Sequence, residues 1–428
     1  MNAGVLEVRI DEQHAGLLEA TSRDLTFRYD GAYLEQREAT PLSVSMPLAE
    51  ATYRSATVTP WLWGLLPENP DVLARWARQF QASASSPFSL LATPVGEDCP
   101  GGVQLIRPER RAELSELRGD IDWLDERDVA DRLAALRDDA TMWLGPDFTG
   151  QFSLGGAQAK TALYLDDGRW GVPSGAIPTT HILKPAIAGL DDHDLNEHLC
   201  LRGAANAGLV VAQSRIARFR DETAIVVERY DRTVVGGRVI RVHQEDLCQA
   251  VGVPPALKYE ADGGPGVAQV GTLLRQTIRP PAASSAAVES FLDALIWNWI
   301  IGGTDAHAKN YSLLLSGRRV RLAPLYDIAS VLPYESVDEL KLKMAMKLGG
   351  EYRLKAHRES TWPRVADDLA LPRYHVVERA RNLVTSAPDA LADAARADDV
   401  RALGSELPAR LVDAVANRRD RCLGQLGG

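Results

Sequence analysis

Residues 285–301 constrain this chain more than any other stretch. Val288, Phe291, Leu292, Leu295, Ile296, Trp299 and Ile300 fall at i, i+3, i+4, i+7, i+8, i+11 and i+12. That is the spacing of an apolar helix face, and such a helix must be buried. Gly302-Gly303 stops it, and the polar run Thr304-Asp305-Ala306-His307-Ala308-Lys309-Asn310 follows at once. Two short β-prone runs, 311–315 and 320–322, then flank the turn Ser316-Gly317 and lead into Pro324-Leu325-Tyr326-Asp327-Ile328. A buried helix therefore delivers one polar loop, and a short hairpin delivers a second aspartate. Rigid elements that present short polar loops are how chemical groups are positioned.

Upstream, the pattern changes. Residues 5–10 and 25–29 read as strands, and 61–80 reads as helix, proline-containing turn, helix. Residues 113–136 are charge-rich and read as helical. Near Gly150 a new unit begins with the Gly-rich turn 150–156, followed by strands at 161–165, 181–184 and 223–230 and a helix over 196–208 stopped by Gly208. Strands up to that point and helices beyond it predict a small β-rich lobe and a larger helical one. No internal repeat is present.

The composition suits a globular chain of two or three domains: 428 residues, 45% hydrophobic and 25% charged. A net charge of −10 disfavours nucleic-acid binding by the surface as a whole. The local basic clusters, 107–111 and Arg418-Arg419, read as solvated surface. The four cysteines, Cys99, Cys200, Cys248 and Cys422, form no CxxC pair and read as free thiols of a cytoplasmic protein. The N-terminus has no signal-peptide pattern, and no apolar run reaches membrane-spanning length.

Phosphoryl transfer needs an acceptor for a hydroxyl proton, hard oxygen ligands for Mg2+ and a cation on the phosphates. Asp305 and Asn310 stand at the Asp-to-Asn spacing of a kinase catalytic loop. Asp327, after the hairpin, fits the second metal-binding aspartate, and Lys184, on a strand well upstream, fits the phosphate-binding lysine. Each piece alone has a bland reading: Asp305 a loop residue, Asp327 a turn former, Asn310 a left-handed turn residue, Lys184 a strand end. All four in order, with matching local structure, point to a kinase. The Walker-A-like run GGAQAKT fails, because Ala159 stands where that motif needs glycine. A second cluster, Asp191, Asp192, His193, Asp194, Glu197, His198 and Cys200, lacks metal-ligand spacing and reads as a solvated loop leading into a helix with acids at its N-terminus. Glu197 could alternatively pair with Lys184.

The segments GQFSLGGAQAKTAL, THILKP, VVERYDR, HQEDLCQ, GGTDAHAKNYSLLL and PLYDIAS, with PLSVSMPL and GLLPENP nearer the N-terminus, together resemble the HipA family of toxin kinases. The resemblance implies an α+β, protein-kinase-like two-lobed fold with an additional N-terminal α/β domain, divided as 1–145, 146–232 and 233–428. It implies Asp305 as catalytic base, Asn310 and Asp327 as Mg2+ ligands, and Lys184 on the ATP phosphates. Ser153, Leu154, Gly155 and Gly156 match the phosphate-covering loop, with Ser153 autophosphorylated. Glu228, Arg229 and Tyr230 match the hinge that holds adenine, and Gln244 and His307 match further nucleotide-site positions. Implied partners are a helix-turn-helix antitoxin (HipB-like) from the same operon and a protein substrate. Family targets include aminoacyl-tRNA synthetases, glutamyl-tRNA synthetase among them. The HRD arginine, DFG, APE and GxGxxGxV of ordinary protein kinases are absent. A small-molecule kinase and an inactive corepressor module remain as alternatives.

Overall fold

Alternation of apolar and polar residues builds the N-terminal sheet. Leu6, Val8 and Ile10 point to one side of the strand Gly4–Ile10 and are buried, and Leu18, Phe27 and Val103 join them from neighbouring strands. Five antiparallel strands run in the order Thr52–Tyr53, Leu25–Tyr29, Gln13–Ala20, Gly4–Ile10, Val103–Ile106. The helices Ser55–Gly64 and Pro70–Gln79 add the buried Trp61 and Trp76 to the same core. This is the expected helix, turn, helix. Asn69 caps the second helix by accepting from the Asp71 N–H, and Pro70 occupies its first turn.

The computed structural model describes residues 4–115, 119–147, 149–334, 338 and 341–427. They fall into two compact units. The first comprises Met1–Pro185, Arg218–Ala256 and Ser312–Val320; the second comprises Ala186–Ala217, Leu257–Tyr311 and Arg321–Gly428. The N-terminal sheet therefore shares a unit with the strands of the next segment. Among those strands, five lie in the order Glu222–Glu228, His181–Lys184, Thr161–Asp166, Arg169–Pro173, Ile121–Leu124.

The last of these corrects the reading of 113–136 as one helix. Ile121–Leu124 is a strand paired antiparallel with Arg169–Pro173, between the short helix Arg111–Ser115 and the helix Glu126–Asp138. The cause is local. Asp125 and Asp128 form a reciprocal capping box that starts the second helix and ends whatever precedes it. Residues 116–118 lie outside the described residues.

In the second unit, the helix Pro281–Ile301 is buried around its whole circumference from Phe291 to Ile301, not on one face alone. The carboxylate and the carboxamide this encloses are hydrogen-bonded. Arg379 donates two hydrogen bonds to the Asp293 carboxylate, and the Asn298 amide donates to the Ala294 carbonyl at 2.9 Å. At the C-terminus, Gly302 adopts φ +65°, the left-handed cap that glycine takes without steric cost. Arg418 was expected on the surface; it is 5% exposed and donates to the Trp299 and Ile300 carbonyls, which the helix itself leaves unpaired. The Ser330 hydroxyl serves the Ile301 carbonyl. The site-bearing end of the helix is thus fixed by three donors from distant sequence. Among the described residues no helix is long and apolar enough to cross a membrane, and all four cysteines are free and buried.

Candidate functional site

The loop after Gly302 is shaped by backbone bonds. A Cβ on Gly303 would lie 2.2 Å from the Asn298 side-chain oxygen, so any other residue there would displace that amide. The Asp305 carbonyl accepts from the His307 N–H at 2.8 Å and from the Asn310 side-chain amide at 2.9 Å. The same Asn310 amide reaches the Asp327 carbonyl at 3.5 Å. Buried Asn310 therefore ties the two aspartate-bearing loops together through their backbones, with its own position held by a bond to the His307 carbonyl at 2.9 Å.

Both aspartate side chains reach the surface. The Asp305 side chain is 71% exposed, and Asp327 is exposed as well. Asp327 sits at φ +56°, a left-handed conformation that costs energy for a residue with a Cβ, though aspartate bears it better than most. Its loop is anchored on both sides: Leu325 exchanges backbone bonds with Val210 and Ala212, and the Tyr326 hydroxyl donates to the Lys309 carbonyl at 2.6 Å. A carboxylate oxygen on Asp327 and an amide oxygen on Asn310 are hard donors of the kind Mg2+ takes alongside waters and phosphate oxygens. The donor set fits that ion.

One contact here carried no sequence signal. Tyr259, in a tight loop closed by the Gly264 N–H bonding the Tyr259 carbonyl at 2.9 Å, donates its hydroxyl to Asp305 Oδ1 at 2.5 Å. Its ring lies edge-on to the His307 imidazole at 5.0 Å. His307 is buried, with Nε2 4.0 Å from Asp305 Oδ1.

The remaining candidates lie in the first unit. Lys184 ends the strand His181–Lys184, paired with Ile225, and is buried. Pro185 follows, without an N–H to extend the ladder. Glu228 is exposed at the end of its strand. The Arg229 side chain is not a ligand-facing group: it is buried and donates to Asp231, Thr179 and the Cys99 carbonyl. Beside it, burial pushes the Asp98 carboxyl up, but the guanidiniums of Arg232, Arg241 and Arg229 outweigh that and hold it below the usual range. The Tyr230 hydroxyl donates to Gln244 Oε1 at 2.5 Å, so these two expected site residues do meet.

The Gly-rich loop is pinned. Ser153 is fully buried; its hydroxyl donates to the Leu65 carbonyl and its N–H to the Asp98 carbonyl at 2.9 Å. Gly156 adopts φ +94° and bridges Pro67, and its carbonyl accepts from the Glu68 N–H at 3.0 Å. Lys160, which sequence reasoning passed over with the failed Walker motif, closes the loop from inside. Its ammonium donates to the Gly155 and Gln158 carbonyls at 3.2 and 2.7 Å and stacks on Trp143 at 4.2 Å.

The acidic and histidine cluster is not a solvated helix start beyond its first residues. Asp194, Glu197 and His198 are buried on the helix His193–Asn206. His198 meets the Ser214 hydroxyl at 2.9 Å, and burial lowers its pKa to about 4. Among the described residues no group of acids, histidines and cysteines is placed to hold a metal by itself.

Two family models match the chain: the HipA-like C-terminal domain over 152–391 and the HipA N-terminal domain over 6–106. The chain is similar to "Putative kinase Y4mE" of Sinorhizobium fredii, 36% identical, over 86% of both chains. It is similar to "Serine/threonine-protein kinase toxin HipA" of Shewanella oneidensis, 28% identical, over 91% of this chain and 88% of that one. Its fold matches a chain from the solved complex of the Shewanella oneidensis toxin-antitoxin system HipA and HipB with operator DNA. The TM-score is 0.80 at 24% identity, covering 98% of this chain and 99% of the other. The architecture is accordingly α+β and kinase-like, with an added N-terminal domain.

Proposed function

The chain belongs to the HipA family, and from that premise we propose that it is an ATP- and Mg2+-dependent serine/threonine protein kinase, the toxin of a toxin-antitoxin pair. The observation that carries the reading is the pair of exposed aspartates, Asp305 and Asp327, tied by the Asn310 amide beyond a helix that is buried all round from Phe291 to its end. Asp305 accepts the proton of a seryl or threonyl hydroxyl as its oxygen attacks the γ-phosphorus; the bond to ADP breaks and the phosphoryl group ends on the substrate. Asn310 and Asp327 would hold the metal, which when bound supplies charge neutralisation on the phosphates. Lys184 neutralises phosphate charge, and Tyr230, Gln244 and the loop around Ser153 bind the nucleotide. An inactive corepressor would have no use for two exposed carboxylates held in this way.

The family likeness also supports a helix-turn-helix antitoxin as partner. With a net charge of −10, this chain leaves the basic, DNA-facing surface to that partner. Ser153 is the proposed autophosphorylation site. Its hydroxyl is buried against Leu65, so receiving a phosphate requires the loop to leave that contact. The added charge of about −1.5 to −2 would then keep it out. Phosphoproteomics after induction, comparing the wild type with Asp305→Asn, tests the assignment. Phosphosites on serine or threonine of a cellular protein, absent in the variant, are expected. Equal phosphoproteomes from two folded proteins would overturn it.

A further inference from the structure

The segment PLSVSMPL is part of the family likeness, yet no residue in it has a role in the chemistry above. Its place in the fold gives it one. The strand His243–Asp246 alternates its side chains between two faces. His243 and Glu245 turn to one face and are completely buried there. Both meet the 42–45 segment. The His243 Nε2 lies 2.9 Å from the Leu42 carbonyl. The Glu245 carboxyl accepts from the Val44 N–H at 2.7 Å and from the Ser43 hydroxyl at 2.5 Å. Ser45 continues the seam by donating to the Gln249 carbonyl at 3.0 Å, and the Gln249 amide donates to the Trp61 carbonyl at 2.9 Å.

Gln244 lies between them in sequence and so faces the other way, where the Tyr230 hydroxyl meets its amide. The backbone of 243–244 is held from a third direction. A Cβ on Gly101 would lie 2.5 Å from the Gln244 nitrogen, and one on Gly102 3.1 Å from the His243 nitrogen. That close approach requires glycine at Gly101 and leaves little room for a side chain at Gly102. The strand is therefore gripped on its inner face by side chains and along its backbone by a glycine pair, and the residue left over is the proposed nucleotide contact.

We propose that the 42–45 segment is a positioning element for the nucleotide site, acting through Glu245 and His243 to fix Gln244. This rests on the reading of Gln244 as a nucleotide contact. The same logic repeats at 65–68, where GLLPENP pins the Gly-rich loop through Leu65, Pro67 and Glu68. The N-terminal domain thus does for ATP binding what a second lobe wall would do: it removes the freedom of groups that must be in place before the ligand arrives.

The test is a double-mutant cycle on Mg2+-ATP affinity, measured by calorimetry on the full chain, with Ser43→Ala, Gln244→Ala and the pair. Thermal unfolding is followed for each. Gln244→Ala is expected to weaken ATP binding about three- to tenfold, the effect of one lost hydrogen bond. Ser43→Ala should weaken it to a similar or smaller degree, and the pair should be no weaker than Gln244→Ala alone. A folded Ser43→Ala with wild-type affinity, against a weakened Gln244→Ala, would overturn the proposal while leaving the site intact. Strict additivity of the pair would also overturn it, because Ser43 would then act by another route. Unchanged affinity in Gln244→Ala would instead remove Gln244 from the site, and the proposal with it.

Discussion

The two units hold their proposed site residues in opposite ways. In the first, Ser153, Lys184 and the neighbours of Gln244 are buried, and groups from distant sequence bond to Ser153 and to the neighbours of Gln244. In the second, Asp305 and Asp327 stand exposed, and what is fixed is the backbone beneath them. The difference follows from the two tasks. A nucleotide gains affinity from groups that are already ordered, since immobilising them on binding would cost roughly 0.5–1.5 kcal/mol per side chain. A base and a metal ligand must instead be open to a hydroxyl or an ion, so their side chains cannot be walled in. Fixing the main chain by Gly302, Arg418 and Asn310 places them without covering them.

Breaking the open side should cost the most. Asp327→Ala removes a metal-ligating carboxylate and should lower phosphoryl transfer by roughly two to three orders of magnitude, with unfolding temperature nearly unchanged because the side chain is exposed. Stopped assays with labelled ATP on the purified variant measure it. The buried side should respond next. Lys184→Ala should weaken ATP use by roughly one to two orders of magnitude, read in both turnover and calorimetric ATP affinity. Unlike Asp327→Ala, it should also lower the unfolding temperature.

Tyr259→Phe sharpens the contrast by asking whether the open carboxylates rely on anything beyond their backbone. Loss of one hydroxyl bond to Asp305 should lower turnover about three- to tenfold and leave ATP affinity unchanged. The last effect concerns the pH dependence of stability and not turnover. Burial pushes the Glu245 carboxyl up from 4.5 to about 8. The folded chain thus keeps a proton that the unfolded chain releases. Stability contributed by this group is highest below about pH 4.5 and falls as pH rises toward about 8. Glu245→Gln should flatten that part of the stability profile, measured by denaturant titration between those limits.

The open side was also the more legible in sequence. The apolar spacing from Val288 to Ile300, the glycine stop and the Asp305-to-Asn310 spacing are all local, so periodicity and turn chemistry expose them. What was missed is nonlocal. Arg418 looked like surface because its partners, the Trp299 and Ile300 carbonyls, lie more than a hundred residues away. Tyr259 and Lys160 carry no spacing that marks them; only the fold brings one to Asp305 and the other under the Gly-rich loop. The strand Ile121–Leu124 was hidden within charged sequence because its pairing with Arg169–Pro173 decides it, not its own propensity. The motif likewise gave no sign that the Arg229 side chain would pair with Asp231 in a buried network.

The most direct test of the account is transfer of labelled γ-phosphate from Mg2+-ATP by the purified chain, wild type against Asp305→Asn, with the modified residues located by mass spectrometry. The account predicts label on serine, Ser153 included, in the wild type and a loss of roughly two to three orders of magnitude in a folded Asp305→Asn protein that still binds ATP. Equal incorporation by the two proteins, or none by a wild type shown to bind Mg2+-ATP, would contradict it.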